Sequence, residues 1–296
     1  MQLGHEARRV PAYISRQATA THVLILLVLH CCFTKCRKRD KPRLEKTNNT
    51  KKDKTSRTGR KPKKMEKIEK LVQQLDDFDP EVREKGLREL KTLTEQGIIK
   101  TAPGRGWVNL HGHTFFSFNA YGFSPSRFLW EAFSLGLEMV GIVDFDVLDG
   151  LEEALGAAQI LGIKAEVGME TRVFVKEYGV RVINSPGEPG IFYLMGTGFF
   201  RKPEKGSQAE TVLNSLKKRA SSRNLLVIQK VNEYLNPVTV DYKNDVLPLT
   251  PKGNATERHI LSAYVRKASV VFPKMRKRTS FWSEILKLRP KQLRQS

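Results

Sequence analysis

Apolar positions along the chain change period several times, and each change marks an element. In "MEKIEKLVQQLDDF" the residues Ile68, Leu71, Val72 and Leu75 fall three and four apart, which predicts an amphipathic helix from Met65. "DPEVREKGLRELKTLTEQG" predicts a second helix, with Asp79 as N-cap, Pro80 at the first helical position and Gly97 as its stop. From residue 107 onward, apolar runs of strand length alternate with helical periods. "WVNLH", "MVGIVDFD", "KAEVGMETRVFV" and "IFYLMGTGFF" read as strands, with "YGVRVI" a candidate partner for the third. Between them, "SPSRFLWEAFSLG" carries a Ser124 cap, Pro125 at its start and Gly136 at its end, and "LDGLEEALGAAQILG" is helical again. Residues 207–221 hold a helical period that "LLVIQKVNEYL" either extends or interrupts with a strand. "NATERHILSAYVRKASVVF" and "SFWSEILKL" read as further helices. Apolar strands alternating with helices predict an α/β fold, its sheet largely parallel and covered by helices, as in a barrel or a doubly wound fold.

The ends of the chain follow different rules. Residues 35–64 hold 15 Lys/Arg against 3 acidic residues and almost no apolar side chains. Such a segment cannot bury enough surface to offset its ordering entropy, so disorder is expected. Residues 265–296 are also basic, with 10 Lys/Arg against 1 acidic residue, whereas 65–264 hold 24 basic and 26 acidic residues. The net charge of +21 therefore belongs to the ends. Nucleic-acid binding, if it occurs, is expected through the basic tails alone. The organisation that follows is a basic tail over 1–64, a helical preface over 65–100, an α/β domain over 101–273 and a basic helix or tail over 274–296.

The strongest apolar run, "HVLILLVLHCCF", is short of the roughly 20 residues needed to cross a bilayer. A signal or anchor over residues 18–33 is the alternative to a cytoplasmic location. Met65, which opens the first helical pattern after the basic run, is a candidate for the natural start. Cys31, Cys32 and Cys36 all precede it, so the domain is free of cysteine and suits a reducing compartment.

The candidate chemistry sits at strand ends. In "VNLHGHTFFSFNAYGFSP", His111 and His113 are two apart, so on a strand they point to one side with Cα atoms about 6–7 Å apart. Imidazoles so placed can converge on one cation, and Gly112 between them permits close backbone approach. The next strand ends in Asp144 and Asp146, and the third carries Glu170. In parallel α/β folds functional groups gather at the carboxyl ends of strands, so three strands aim histidines and carboxylates at one rim. Nitrogen and oxygen donors without thiolate suit Zn, Mn or Fe. His259, on a predicted helix, reads as structural or exposed. "INSPGEPG" reads as a loop beside the site, and the start of the "NATERH" helix as a cap.

Residues 107–200 resemble the PHP domain, named for polymerase and histidinol phosphatase. The likeness lies in the H-x-H-T strand, the "SP…A…G" helix, the strand ending "IVDFD" and the "GMET" strand, all in the family's order and spacing. The resemblance implies a distorted (β/α)7 barrel and metal-dependent phosphoester hydrolysis with up to three ions. It also implies that His111 and His113 are ligands, that Glu170 is the bridging carboxylate and that Asp144 is the aspartate of the family's "DH" pair. The chain departs from the pattern at three places. Phe145 stands where the family's next histidine falls, Tyr193 stands where another is usual, and Asn119 occupies the place of an occasional ligand. No D-x-H follows Glu170, and four or five of seven strands are accounted for. The barrel is expected to be partial, either truncated or continued beyond Ser296.

His111, His113 and Glu170 suffice for one ion with open positions but not for a two-ion clamp. The expected activity is a reduced, one-ion phosphoesterase acting on a small phosphorylated substrate. In it Asp144 accepts a proton, Tyr193 donates to a substrate oxyanion, and Asn119, Asp146 or His259 are possible additional site residues. The alternative is a PHP-derived binding or regulatory module without catalysis. A polymerase-associated domain is a third reading, and residues 65–264 lack both a polymerase body and a basic cleft for it. Oligomeric state is open.

Overall fold

A computed structural model describes residues 63–104, 106–117 and 122–287. The expectations about the first 62 residues, the apolar run and its cysteines, and Asn119 lie outside the described residues. Two helices open the described chain, α1 (Lys63–Gln74) and α2 (Pro80–Glu95). The Asp79 carboxylate accepts the Glu81 N–H at 2.9 Å and Pro80 takes the first position, so the entry to α2 is locally encoded.

Next come β1 (Trp107–Asn109), α3 (Pro125–Ser134), β2 (Leu137–Phe145), α4 (Leu151–Leu161), β3 (Lys164–Phe174) and β4 (Ile191–Gly196). They build a curled, half-barrel sheet in the order β1-β2-β3-β4. Helices α3 and α4 lie against each other and on β2 and β3, with α2 packed outside them. The core between these layers is made by Leu75, Leu87, Leu90, Leu129, Ile142, Leu151, Leu161 and Val167.

The sheet is mixed where a largely parallel one was expected. β1, β2 and β3 run parallel, but β4 is antiparallel to β3, with Arg172 opposite Tyr193 and Glu170 opposite Met195. A parallel return needs a crossover of a dozen or more residues, usually a helix. The connection here holds only a 3-10 turn at Lys176–Tyr178 and bends at Gly187 and Gly190, both at positive φ, so the chain doubles back as a hairpin. "YGVRVI" lies in this connection and forms no strand; Val180 is 91% exposed. "LLVIQKVNEYL" continues a helix, α5 (Gln208–Leu235), whose Ile228, Val231 and Leu235 face inward.

After α5, a short π-helical turn at Tyr242–Val246 and a 3-10 turn at Leu247–Leu249 lead into α6 (Glu257–Val271) and α7 (Met275–Leu286). These helices enclose a second apolar cluster that includes Val231, Val246, Ile260, Tyr264 and Leu286. The Asn254 side-chain amide donates to the backbone carbonyls of Phe116 (3.2 Å) and Phe145 (2.9 Å), tying this half to the sheet. No helix of the described residues is long and apolar enough to cross a membrane.

One glycine governs how β1 meets β2. A Cβ at Gly141 would lie 2.7 Å from the backbone oxygen of Leu110 and 2.8 Å from its Cα. Backbone cannot give way as a side-chain tip can. Gly141→Ala is therefore expected to lower stability by about 1–3 kcal/mol and to shift residues 110–113, readable as a lower melting temperature.

Candidate metal centre

Strand β1 ends at Asn109, yet its extended course continues. The Val143 N–H donates to the Gly112 carbonyl at 2.8 Å, carrying the pairing with β2 past the strand's end. Gly112 faces the helix layer, where a Cβ would fall 2.1 Å from the Phe128 ring. Alternation then turns His111 and His113 to the opposite, open face. On β3, Glu170 points to that same face, and its register partner on β2 is Phe145.

The three side chains meet there. His111 Nε2 lies 3.5 Å and His113 Nε2 3.2 Å from Glu170 Oε2, and the candidate ligand atoms all lie within 4.8 Å of one another. Two donors each about 2.1 Å from an ion, at a tetrahedral angle, stand about 3.4 Å apart. The observed spacings match that edge, so the donor set fits a divalent cation. Side-chain exposure is 51% for His111, 21% for His113 and 11% for Glu170, which places the common point at the mouth of the site.

The electrostatics agree. Burial, then the neighbouring His111 and Arg258, pushes the His113 imidazolium down to about 4, so the ring is neutral near pH 7. Burial also raises the Glu170 carboxyl, with His111 opposing it. A buried carboxylate beside the neutral His113 ring is a place where the charge of a metal ion would be balanced.

Of the other residues anticipated for the site, Asp144, Asp146 and His259 fall elsewhere. Asp144 points away from Glu170, into the helix side of the sheet, and is buried. Its Oδ1 accepts the Thr114 N–H (2.7 Å) and the Ser117 hydroxyl (2.6 Å), and its Oδ2 accepts the Thr114 hydroxyl (2.6 Å). Burial raises its carboxyl and these donors oppose the rise. The aspartate is thus brought behind His113 and not into the cluster. Asp146, at φ 60°, accepts from the Thr171 hydroxyl at 2.6 Å and also lies outside it. Tyr193 stands on the open face at the rim, its ring 6.2 Å from that of Phe145 and 5.7 Å beneath the Arg172 guanidinium.

His259 is buried in α6, where Nδ1 accepts the Thr256 N–H at 3.0 Å and completes a capping box. Burial lowers its pKa from 6.5 to about 4. The unfolded chain therefore takes up this proton first as the pH falls. The contribution is complete above about pH 6.5 and is lost progressively towards pH 4, at up to about 1.4 kcal/mol per pH unit. His259→Gln, which can keep the cap, is expected to flatten the fall of melting temperature between pH 6.5 and 4 relative to the parent protein.

Three supporting residues were not singled out from the sequence for these roles. Phe145 stacks on His113 at 4.4 Å and 16°. Ser117 Oγ lies 3.4 Å from His113 Nδ1. Arg172, two residues after Glu170 and hence on its face, is paired with Glu188, which also accepts from Ser185. Strand parity could have found Arg172. Ser117 lies in a turn whose path the sequence does not show.

No protein-family profile and no curated protein matches the chain. Among solved structures, a candidate metal-dependent phosphoesterase from Bifidobacterium adolescentis is similar at 19% identity and a TM-score of 0.43. The match covers 64% of this chain and 57% of that one, less than two thirds of its length. The chain joins an α/β half-barrel to a His-His-Glu cluster that could hold a metal ion.

Proposed function

We propose that this protein is a metal-dependent hydrolase of phosphoesters, working with one divalent ion held by His111, His113 and Glu170. The observation that carries the reading is the pair of spacings from Glu170 Oε2 to the two imidazole nitrogens, 3.5 and 3.2 Å, which matches the edge of a tetrahedral site. The order of motifs along residues 107–200 supports a PHP-type barrel, of which the curled sheet would be a part. Nitrogen and oxygen donors favour Zn, Mn or Fe.

Such an ion supplies Lewis acidity towards a phosphoryl oxygen and activates water. The chain's own residues do the rest. Two imidazoles and a carboxylate would leave a position on the ion open to substrate. The Phe145 ring shields one face of His113. Tyr193, on the same face, would orient a small phosphorylated substrate by donating to its oxyanion. The absence of cysteine from residues 65–264 suits a cytoplasmic setting.

A second reading has its own support. With Asp144 saturated behind the site, the cluster holds no carboxylate beyond Glu170 to serve as proton acceptor. A PHP-derived binding module would need none. Metal content of the purified chain and turnover of p-nitrophenyl phosphate with added Zn, Mn or Fe separate the two. The hydrolase reading expects about one ion per chain and turnover, both lost in a folded His113→Ala variant. Bound metal without turnover favours the binding module. A folded protein that takes up no divalent ion defeats the metal centre itself.

A further inference from the structure

The metal-binding reading needs His113 to present a bare nitrogen to the ion, and the residues behind the ring decide whether it can. The ring is held from several sides. Phe145 stacks on it, the His111 ring meets it edge-on at 5.4 Å, Nε2 points to Glu170 and Nδ1 to the hydroxyl of the buried Ser117. A serine hydroxyl has one proton to give. Asp144 Oδ1 is fixed as an acceptor, because it already takes the Thr114 N–H, a donor that cannot reverse. The Ser117 proton goes to that oxygen at 2.6 Å. Only a lone pair is then left for His113, so Nδ1 meets it as N–H once an ion takes the Nε2 lone pair; without the ion, the Glu170 carboxylate 3.2 Å from Nε2 competes for the ring proton. The contact is long at 3.4 Å, but its sense is set by the shorter bond behind it.

We infer that Asp144 and Ser117 are positioning residues that fix the Nδ1–H tautomer of His113, leaving the Nε2 lone pair aimed at the ion site. Asp144 acts through Ser117 and does not itself accept a proton in the reaction. This rests on the metal-centre reading. Supporting partners of this kind are worth about 10- to 100-fold in metal affinity.

Two measurements on the full chain test it. In zinc-loaded protein, two-bond nitrogen–proton NMR correlations of His113, assigned by comparison with His113→Gln, should show Nδ1–H with Nε2 on the ion. In Ser117→Ala zinc affinity, measured by chelator competition, should fall about 10- to 100-fold. If Ser117→Ala does not fold, the NMR result on the parent protein still decides the question. Zinc on Nδ1 of His113 in the parent, or an unchanged affinity in Ser117→Ala, overturns the inference. Failure of the parent to bind zinc overturns the metal centre and this inference with it.

Discussion

Replacing Glu170 by glutamine is expected to weaken divalent-metal binding at the proposed centre sharply and leave the fold intact. Glutamine fills the same volume but brings no charge, and Glu170 is the only anionic donor in the cluster. Its amide would donate towards the imidazole nitrogens, 3.2 and 3.5 Å away, and so occupy the point the ion needs. Structural zinc sites contribute about 10–16 kcal/mol over four ligands, so one ligand is worth about two to three decades in affinity. The metal-free protein should not suffer. Burial raises the Glu170 carboxyl, and a carboxyl raised in the folded state contributes stability below its ordinary range that is lost as pH rises through the raised value. At neutral pH the ionised group is a burden that glutamine removes. Calorimetric titration with zinc should show the loss while the metal-free melting temperature holds or rises. Undiminished affinity in Glu170→Gln would refute the assigned ligand set.

The largest effect on stability is expected far from the site. The Arg83 side chain is 4% exposed, donates through Nε to Glu153 Oε1 at 2.9 Å, makes a second contact to Oε2, and gives Nη1 to the Asp77 carbonyl at 2.7 Å. Glu153 Oε1 also accepts the N–H and hydroxyl of Ser126, so one carboxylate joins α2, α3 and α4. Glu153→Ala leaves a guanidinium in the core without its counter-charge, at a cost of about 3–5 kcal/mol. In a protein of this size that is a fall of roughly 10 °C in melting temperature. Removing both charges, as Arg83→Met with Glu153→Leu, should cost far less, because no lone charge stays behind. Thermal melts of the single and double variants check both statements. Equal losses in the two would mean that packing, not charge, holds these helices.

What the sequence disclosed, and what it hid, follows from how local each cause is. The starts of α2 and α3 were legible because Asp79-Pro80 and Ser124-Pro125 act within one turn. The common direction of His111 and His113 was legible because a strand alternates by twos and Gly112 leaves space on the other side. The sense of β4 was not, since it depends on how residues 175–190 fold back, and the alternation of "YGVRVI" imitates a strand without a partner to cover it. "LLVIQK" suits a buried strand or a helix equally by its apolar pattern, and only its length within α5 resolves it. Asp144 stood beside the site in sequence and behind it in space. Parity sends residues 144 and 145 to opposite faces, and which face is open depends on the register with β3.

Near the centre one side chain reaches from the helical half to the sheet, and that has a thermodynamic corollary. Asn254 caps the carbonyls of Phe116, which adjoins Ser117, and of Phe145, which lies flat on His113. Opening of the helical half frees both acceptors and slackens the loops that steady this imidazole. Linked equilibria are reciprocal, so an ion that favours the ordered ring also raises the work of prying α5, α6 and α7 away from the sheet.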